Sequence, residues 1–325
     1  MRWIFSFVKR QMLPTGLLCA AVVGVAWPEP GAFVGALPTQ YVAVSIIFLC
    51  SGMLLHTDEI RAAFSAWKAS LWGIASILLF TPAIGVFLAF QVPVDRNFQL
   101  GLALFCCMPT TLSSGIALTN QARGNVALAL LLTVLTNIIG IFTVPFVLAH
   151  LLGILGQIEL SASDLLLKLC ISILLPLAIG RCVRGFVQEW VTQNRSNITA
   201  ISNLALISVP WIKFSESSDA LREIAIGSLL ILIVGGLSIH VLYLVLNGLV
   251  CNVLRVETAS RKAVVLLASQ KTLPVAMTVL ALIPEEILAS EIKGLVAIPC
   301  ITFHLGQIFV DAFVATRWGN TCETS

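Results

Sequence analysis

The strongest constraint on this chain is a succession of long apolar runs that charge almost never interrupts. Crossing a bilayer core as a helix takes about 20 mostly apolar residues. Runs of that kind fall near 13–28, 38–55, 68–91, 98–120, 126–151, 163–186, 198–213, 224–252, 260–283 and 292–316. Only 11% of the 325 residues are charged and 58% are hydrophobic. A soluble domain carries about 25% charge, so this composition places the chain in a membrane as ten predicted helices.

Loop charge orients them. With the N-terminus inside, thirteen Lys and Arg residues fall in inside loops and four outside, Lys168 and Lys271 being assigned to spans. That asymmetry follows the positive-inside rule and predicts both termini on the cytoplasmic or stromal side. The start, "MRWIFSFVKRQMLP", is basic and enters an apolar run with no clear small-residue cleavage site, so it reads as a first membrane helix. The net charge of +3 is small and scattered, which excludes a nucleic-acid partner. Nine cysteines form no C-x-x-C pair and four histidines lack zinc-ligand spacing, so no metal centre or cofactor is expected. None of the G-x-S-x-G, P-loop, G-x-G-x-x-G or H-E-x-x-H motifs occurs, and an enzyme is not expected.

Ten helices divide into two sets of five, and an odd-numbered unit repeated in tandem must be inverted. Thr-Leu recurs at one offset in "TTLSSGIALT" and "KTLPVAMTVL", in spans four and nine. "TNIIGIFTVPFV" and "TFHLGQIFVDAFV", in spans five and ten, share a Thr, a Gly four later and a Val four beyond. The predicted fold is therefore an all-α polytopic membrane protein with two inverted five-helix repeats, 1–156 and 157–325. Spans four and nine also carry helix breakers among hydroxyls: Pro109, Thr110, Thr111, Ser113, Ser114 and Gly115 in one, Ser269, Gln270, Lys271, Thr272 and Pro274 in the other. Paired interruptions at corresponding positions point to a transporter's midplane site. Taken singly, each is as well read as a kinked helix whose hydroxyls bond back to their own backbone. Thr133, Asn137, Thr302, His304 and Gln307 are further polar residues that line a cavity or join helices. Asp311 reads as water-facing or paired with Arg317.

At "FCCMPTTLSSGIALTNQARGNVALALLLTV" and "SQKTLP" the chain resembles the bile acid:sodium symporter family, most closely its plant plastid sodium/metabolite cotransporter branch and bacterial relatives. The resemblance implies a panel domain of helices 1, 2, 6 and 7 and a core domain of helices 3–5 and 8–10. It also implies discontinuous helices four and nine that cross. It further implies secondary active transport of a small, anionic metabolite, in the chloroplast envelope of a plant or alga or the inner membrane of a bacterium. A sodium ion would sit near Ser113, Ser114, Thr133 and Gln270. The family's Glu-x-Gly-x-Gln-Asn motif reads Leu266 to Lys271 here, so the carboxylate has become Leu266 and the asparagine Lys271. Two readings stay open beside sodium symport. One is a proton-coupled or uncoupled carrier in which the Lys271 ammonium replaces a bound cation and donates to Thr110, Thr111, Ser113 and Ser114. The other is a non-transporting membrane scaffold. The expected substrate and ion site comprises Thr110, Thr111, Ser113, Ser114, Thr133, Asn137, Gln270, Lys271, Thr272, His304 and Gln307.

Overall fold

A computed structural model describes residues 12–54, 66–111, 114–154 and 161–320. Among these residues every regular element is helical. In chain order the principal helices are α1 (Met12–Ala26), α2 (Pro28–Gly35), α3 (Thr39–Leu54), α4 (Trp67–Ala89), α5 (Arg96–Cys106), α6 (Ser114–Gln121) and α7 (Val126–Ile154). They continue with α8 (Ala162–Phe186), α9 (Arg195–Glu216), α10 (Ile226–Val253), α11 (Thr258–Ser269), α12 (Leu273–Leu282) and α13 (Ser290–Asn320). Among the described residues seven spans, α11 and α12 counting as one, are long and apolar enough to cross a membrane; they become eight if α1 and α2, bent by 100°, form one. The chain is a multi-pass membrane protein.

Of the predicted spans, the first is the bent pair α1 and α2, the second is the 16-residue α3, and the fourth and ninth are broken, into α5 and α6 and into α11 and α12. The seventh, short and semi-polar in sequence, is a 22-residue helix that carries Pro210 within it.

The chain forms two compact units. The first comprises the described residues within 1–55, 158–225 and 277–298. In it α3 and α8 approach at reciprocal glycines: a Cβ on Gly52 would meet the Leu177 carbonyl, and one on Gly180 the Leu49 carbonyl. Only residues without side chains allow backbones this close. The second unit comprises the described residues within 56–157, 226–276 and 299–325. Its core gathers Ile77, Leu128, Ala129, Leu132, Ala263, Leu266, Leu267 and Ala315. Position 266, where the family pattern has a carboxylate, is thus a fully buried leucine in an apolar cluster.

Within α4 the backbone shifts to π geometry over Ser76–Phe80, and the Thr81 N–H reaches back to the Ser76 carbonyl. The cause is Pro82, which has no N–H to give. Continued in the same register, the next bond would run from residue 82 to the Ile77 carbonyl, and Pro82 cannot supply it. A second π turn, Cys170–Leu174 in α8, stands in the same relation to Pro176.

Candidate functional site

The two helix breaks meet inside the second unit. Between α5 and α6 the chain leaves helical geometry around Met108–Thr111, and between α11 and α12 it does so at Gln270–Thr272. Breaking a helix in an apolar medium strands backbone groups that no water is present to satisfy. Here each break serves the other. The Thr272 N–H donates to the Pro109 carbonyl at 2.9 Å, and the Thr110 hydroxyl donates to the Leu267 carbonyl at 2.5 Å. Asn137 of α7 adds its amide Nδ2, 3.0 Å from the Thr110 carbonyl and 2.8 Å from the Thr133 carbonyl. Gly140, one turn further, leaves room for the Pro109 ring, which a Cβ there would meet at 3.0 Å.

Gln270 lies at the centre of the crossing and is fully buried. Its Oε1 accepts from the Thr111 hydroxyl at 2.5 Å and from the Ser114 hydroxyl at 3.4 Å. Its Nε2 donates to Asp311 Oδ2 at 2.6 Å. Thr111 Oγ1 in turn accepts the Gly115 N–H at 3.0 Å, one of the orphan donors that open α6. The opposite side of the second break is held by Gln307 of α13, whose Oε1 accepts the Lys271 N–H and whose Nε2 donates to the Lys271 carbonyl. His304 Nδ1 lies 3.0 Å from the same Nε2. Of the residues expected from sequence, Thr110, Thr111, Ser114, Thr133, Asn137, Gln270, Lys271, Thr272, His304 and Gln307 all belong to this unit. Ser113 lies outside the described residues.

The expected direction of the Lys271 side chain is corrected. Its ammonium does not donate to Thr110, Thr111 or Ser114. It reaches α4, donating to the Ile77 carbonyl at 3.0 Å and to Thr81 Oγ1 at 2.9 Å, with the Tyr243 ring 6.0 Å away. The physical reason is the proline: Pro82 has no N–H to offer the Ile77 carbonyl, and that oxygen and Thr81 Oγ1, one turn on, accept the ammonium instead. Full burial also excludes snorkelling to the surface. The frame behind Lys271 is itself bonded. Thr81 Oγ1 donates to the Ser76 carbonyl, the Tyr243 hydroxyl to the Thr81 carbonyl at 2.6 Å, and the Ser76 hydroxyl to Asn247 Oδ1 at 2.7 Å.

Asp311 is corrected as well. It is wholly buried, neither water-facing nor turned toward Arg317, and both its oxygens are used: Oδ1 lies 2.9 Å from His240 Nε2 and Oδ2 takes Gln270. His240 Nδ1 lies 3.1 Å from the Ser269 carbonyl. Sequence reasoning passed over His240, Tyr243 and Asn247. Their spacing at 240, 243 and 247 places three polar residues on one face of an otherwise apolar helix, and that signal was available.

Three buried side-chain oxygens at or beside the crossing have no hydrogen-bond partner among the described residues: Thr133 Oγ1, Asn137 Oδ1 and Thr272 Oγ1. Buried polar atoms are nearly always paired. Thr133 and Asn137 stand one turn apart on α7, so two of these oxygens share a helix face. The arrangement offers neutral oxygen donors of the kind hard cations prefer.

The model of the SBF-like CPA transporter family matches residues 11–320. A probable chloroplastic sodium/metabolite cotransporter of Oryza sativa subsp. indica is 34% identical, over 97% of this chain and 77% of its own. One of Arabidopsis thaliana is 35% identical, over 97% and 74%. A putative symporter of Escherichia coli, YfeH, is 25% identical over 94% of this chain and 92% of its own. With a family match over residues 11–320, the chain belongs to the SBF-like CPA transporter family.

Proposed function

We propose that the chain is a sodium-coupled secondary transporter that moves a small organic anion by alternating access, with the crossing of the two breaks as its site. The observation that carries this reading is the reciprocal pairing of the breaks, Thr272 N–H to Pro109 O and Thr110 Oγ1 to Leu267 O, beside unpartnered buried oxygens. A pair of kinked helices needs only its own backbone; oxygens left over suit a cation. The donor set fits sodium: Thr133 Oγ1 and Asn137 Oδ1 are free to take it, with Ser114 Oγ and Gln270 Oε1 in the neighbouring network and Ser113 in the chain between. Bound there, sodium would supply positive charge that changes with the transport cycle. The residues do the rest: Gln307 and Thr110 keep the two breaks in register, and Lys271 keeps a fixed positive charge on the other side. With Leu266 in place of a carboxylate, we infer one sodium position, Lys271 taking the place of a second cation. Relatives named as sodium/metabolite cotransporters and as a sodium/bile acid cotransporter support the coupling ion and the metabolite class.

The same reading assigns ten spans in two inverted repeats, 1–156 and 157–325. The grouping of the chain into one unit holding spans 1, 2, 6 and 7 and another holding spans 3–5 and most of 8–10 supports a panel and core division. Chloroplast names among the plant relatives support an envelope location in a plant or alga, and the bacterial symporter an inner-membrane one.

The test is uptake by reconstituted protein across a panel of organic anions, with and without an inward sodium gradient. Saturation, counterflow and sodium dependence are expected. Linear flux would mark a channel, and no flux across the panel would mark a scaffold; either would overturn the proposal.

A further inference from the structure

The crossing is tied to a buried pair that no expectation placed there. His240 on α10, Asp311 on α13, Gln270 in the second break and Thr111 before α6 form one continuous chain of contacts of 2.9, 2.6 and 2.5 Å. Asp311, Gln270 and His240 have no exposed surface at all. The chain has a direction. The Gly115 N–H donates to Thr111 Oγ1, the Thr111 hydroxyl donates to Gln270 Oε1, and Gln270 Nε2 donates to Asp311 Oδ2.

A glutamine amide is nearly isosteric about its end, so its oxygen and nitrogen exchange places unless a neighbour decides. Thr111 does not decide, because a hydroxyl both donates and accepts. Asp311 does. Turned over, Gln270 would set its own oxygen 2.6 Å from a carboxylate oxygen, two acceptors face to face in a medium that screens little. We infer that Asp311, braced by His240, is a positioning residue of the transport site: it fixes the Gln270 amide with its oxygen toward the hydroxyls of span four. Leu266 supplies no carboxylate to the crossing, and Asp311 restores an acidic group there from α13, one residue removed from the site. His240 packs against Asp311, its Nε2 2.9 Å from Oδ1 and its Nδ1 3.1 Å from the Ser269 carbonyl at the end of α11. The positioning stands on geometry alone, and its consequence for cation binding rests on the sodium reading above.

The full-length chain in detergent serves both arms of the test. The first arm needs no sodium. Gln270→Glu places two carboxylates in contact and should lower the yield and melting temperature of folded protein. Adding Asp311→Asn to it restores a single carboxylate, with the new amide at position 311 donating to the carboxylate at position 270, and should recover most of that loss. A double variant no better than Gln270→Glu would overturn the inference. The second arm measures binding of radioactive sodium. Asp311→Leu, similar in size but with no acceptor, should raise the half-saturating sodium concentration about tenfold or more, the cost of leaving a buried amide unpaired. Its binding capacity should stay unchanged, and Asp311→Asn, whose amide can meet Gln270 with either its oxygen or its nitrogen and so no longer decides the orientation, should recover only part of the affinity. Equal affinities in wild type and Asp311→Leu would also overturn the inference. If the wild type binds no sodium, the transport reading fails, and the double-variant arm alone decides the positioning.

Discussion

Replacing Lys271 by Met should cost the fold little while altering transport. The ammonium is fully buried, and its removal from water costs several kcal/mol. Against that stand its two hydrogen bonds, to Ile77 O and Thr81 Oγ1. Bonds to a charged group contribute about 1.5–3 kcal/mol each, so the pair offsets the burial cost without clearly exceeding it. Methionine removes the buried charge and fills most of the same volume. Thr81 Oγ1 keeps its own donation to Ser76 O, so only the Ile77 carbonyl is stranded, at about 1–3 kcal/mol. The balance predicts a Met variant within about 2 kcal/mol of wild type. For a chain of this size that is a melting shift of about 4 °C or less, taking roughly 2 °C per kcal/mol. Lys271→Ala adds a cavity and should lose about 2–5 kcal/mol. Thermal unfolding in detergent reads both, and uptake against sodium concentration reads function, where the Met variant should lose transport or change its ion dependence. A Met variant that loses more than about 4 kcal/mol would show that the ammonium stabilises the fold, contrary to the balance of burial and bonding above. Unchanged uptake and ion dependence would refute the functional part.

Three further outcomes are expected. Gly180→Val should reduce folded protein sharply, by at least about 3 kcal/mol in thermal unfolding, because its Cβ would meet the Leu49 carbonyl. Tyr243→Phe should lower stability by about 1 kcal/mol through loss of the donor to the Thr81 carbonyl. Reporter fusions at residues 35, 190 and 320 should read outside, inside and inside, and a common side for 35 and 190 would refute the ten-span topology.

The spans were legible because crossing a bilayer leaves a one-dimensional record, a run of apolar residues of fixed length. The breaks were legible for a related reason: Pro109, Pro274 and the hydroxyls around them are local chemistry, and a helix cannot run through them unchanged. Partners across the fold leave no such record. Lys271 and Ile77 lie 194 residues apart, and His240 and Asp311 lie 71 apart. Sequence placed the Lys271 ammonium on the nearest hydroxyls by analogy, since span four offered several. The structure places it instead on Ile77 O and on Thr81 Oγ1, a hydroxyl that accepts the ammonium while donating its own proton to Ser76 O.

A better rule was present in the sequence, in Thr81-Pro82. A proline within a membrane helix removes one donor and so creates one carbonyl in need, and a lysine with no acidic neighbour needs carbonyls and hydroxyls. Pro145, Pro176, Pro210 and Pro299 also lie within helices, so this rule narrows the partners of Lys271 to a few carbonyls, of which the structure selects Ile77. Asp311 follows the same logic with the sign reversed. A carboxylate in an apolar helix needs N–H donors, and once the Gln270 oxygen is committed to Thr111, the Gln270 amine and the His240 ring are the groups that meet that need. Buried polar residues in such a chain are therefore best paired by what each lacks rather than by which residues share its region. By that criterion, Thr133 Oγ1, Asn137 Oδ1 and Thr272 Oγ1, which lack partners among the described residues, are the oxygens that support the proposed ion site.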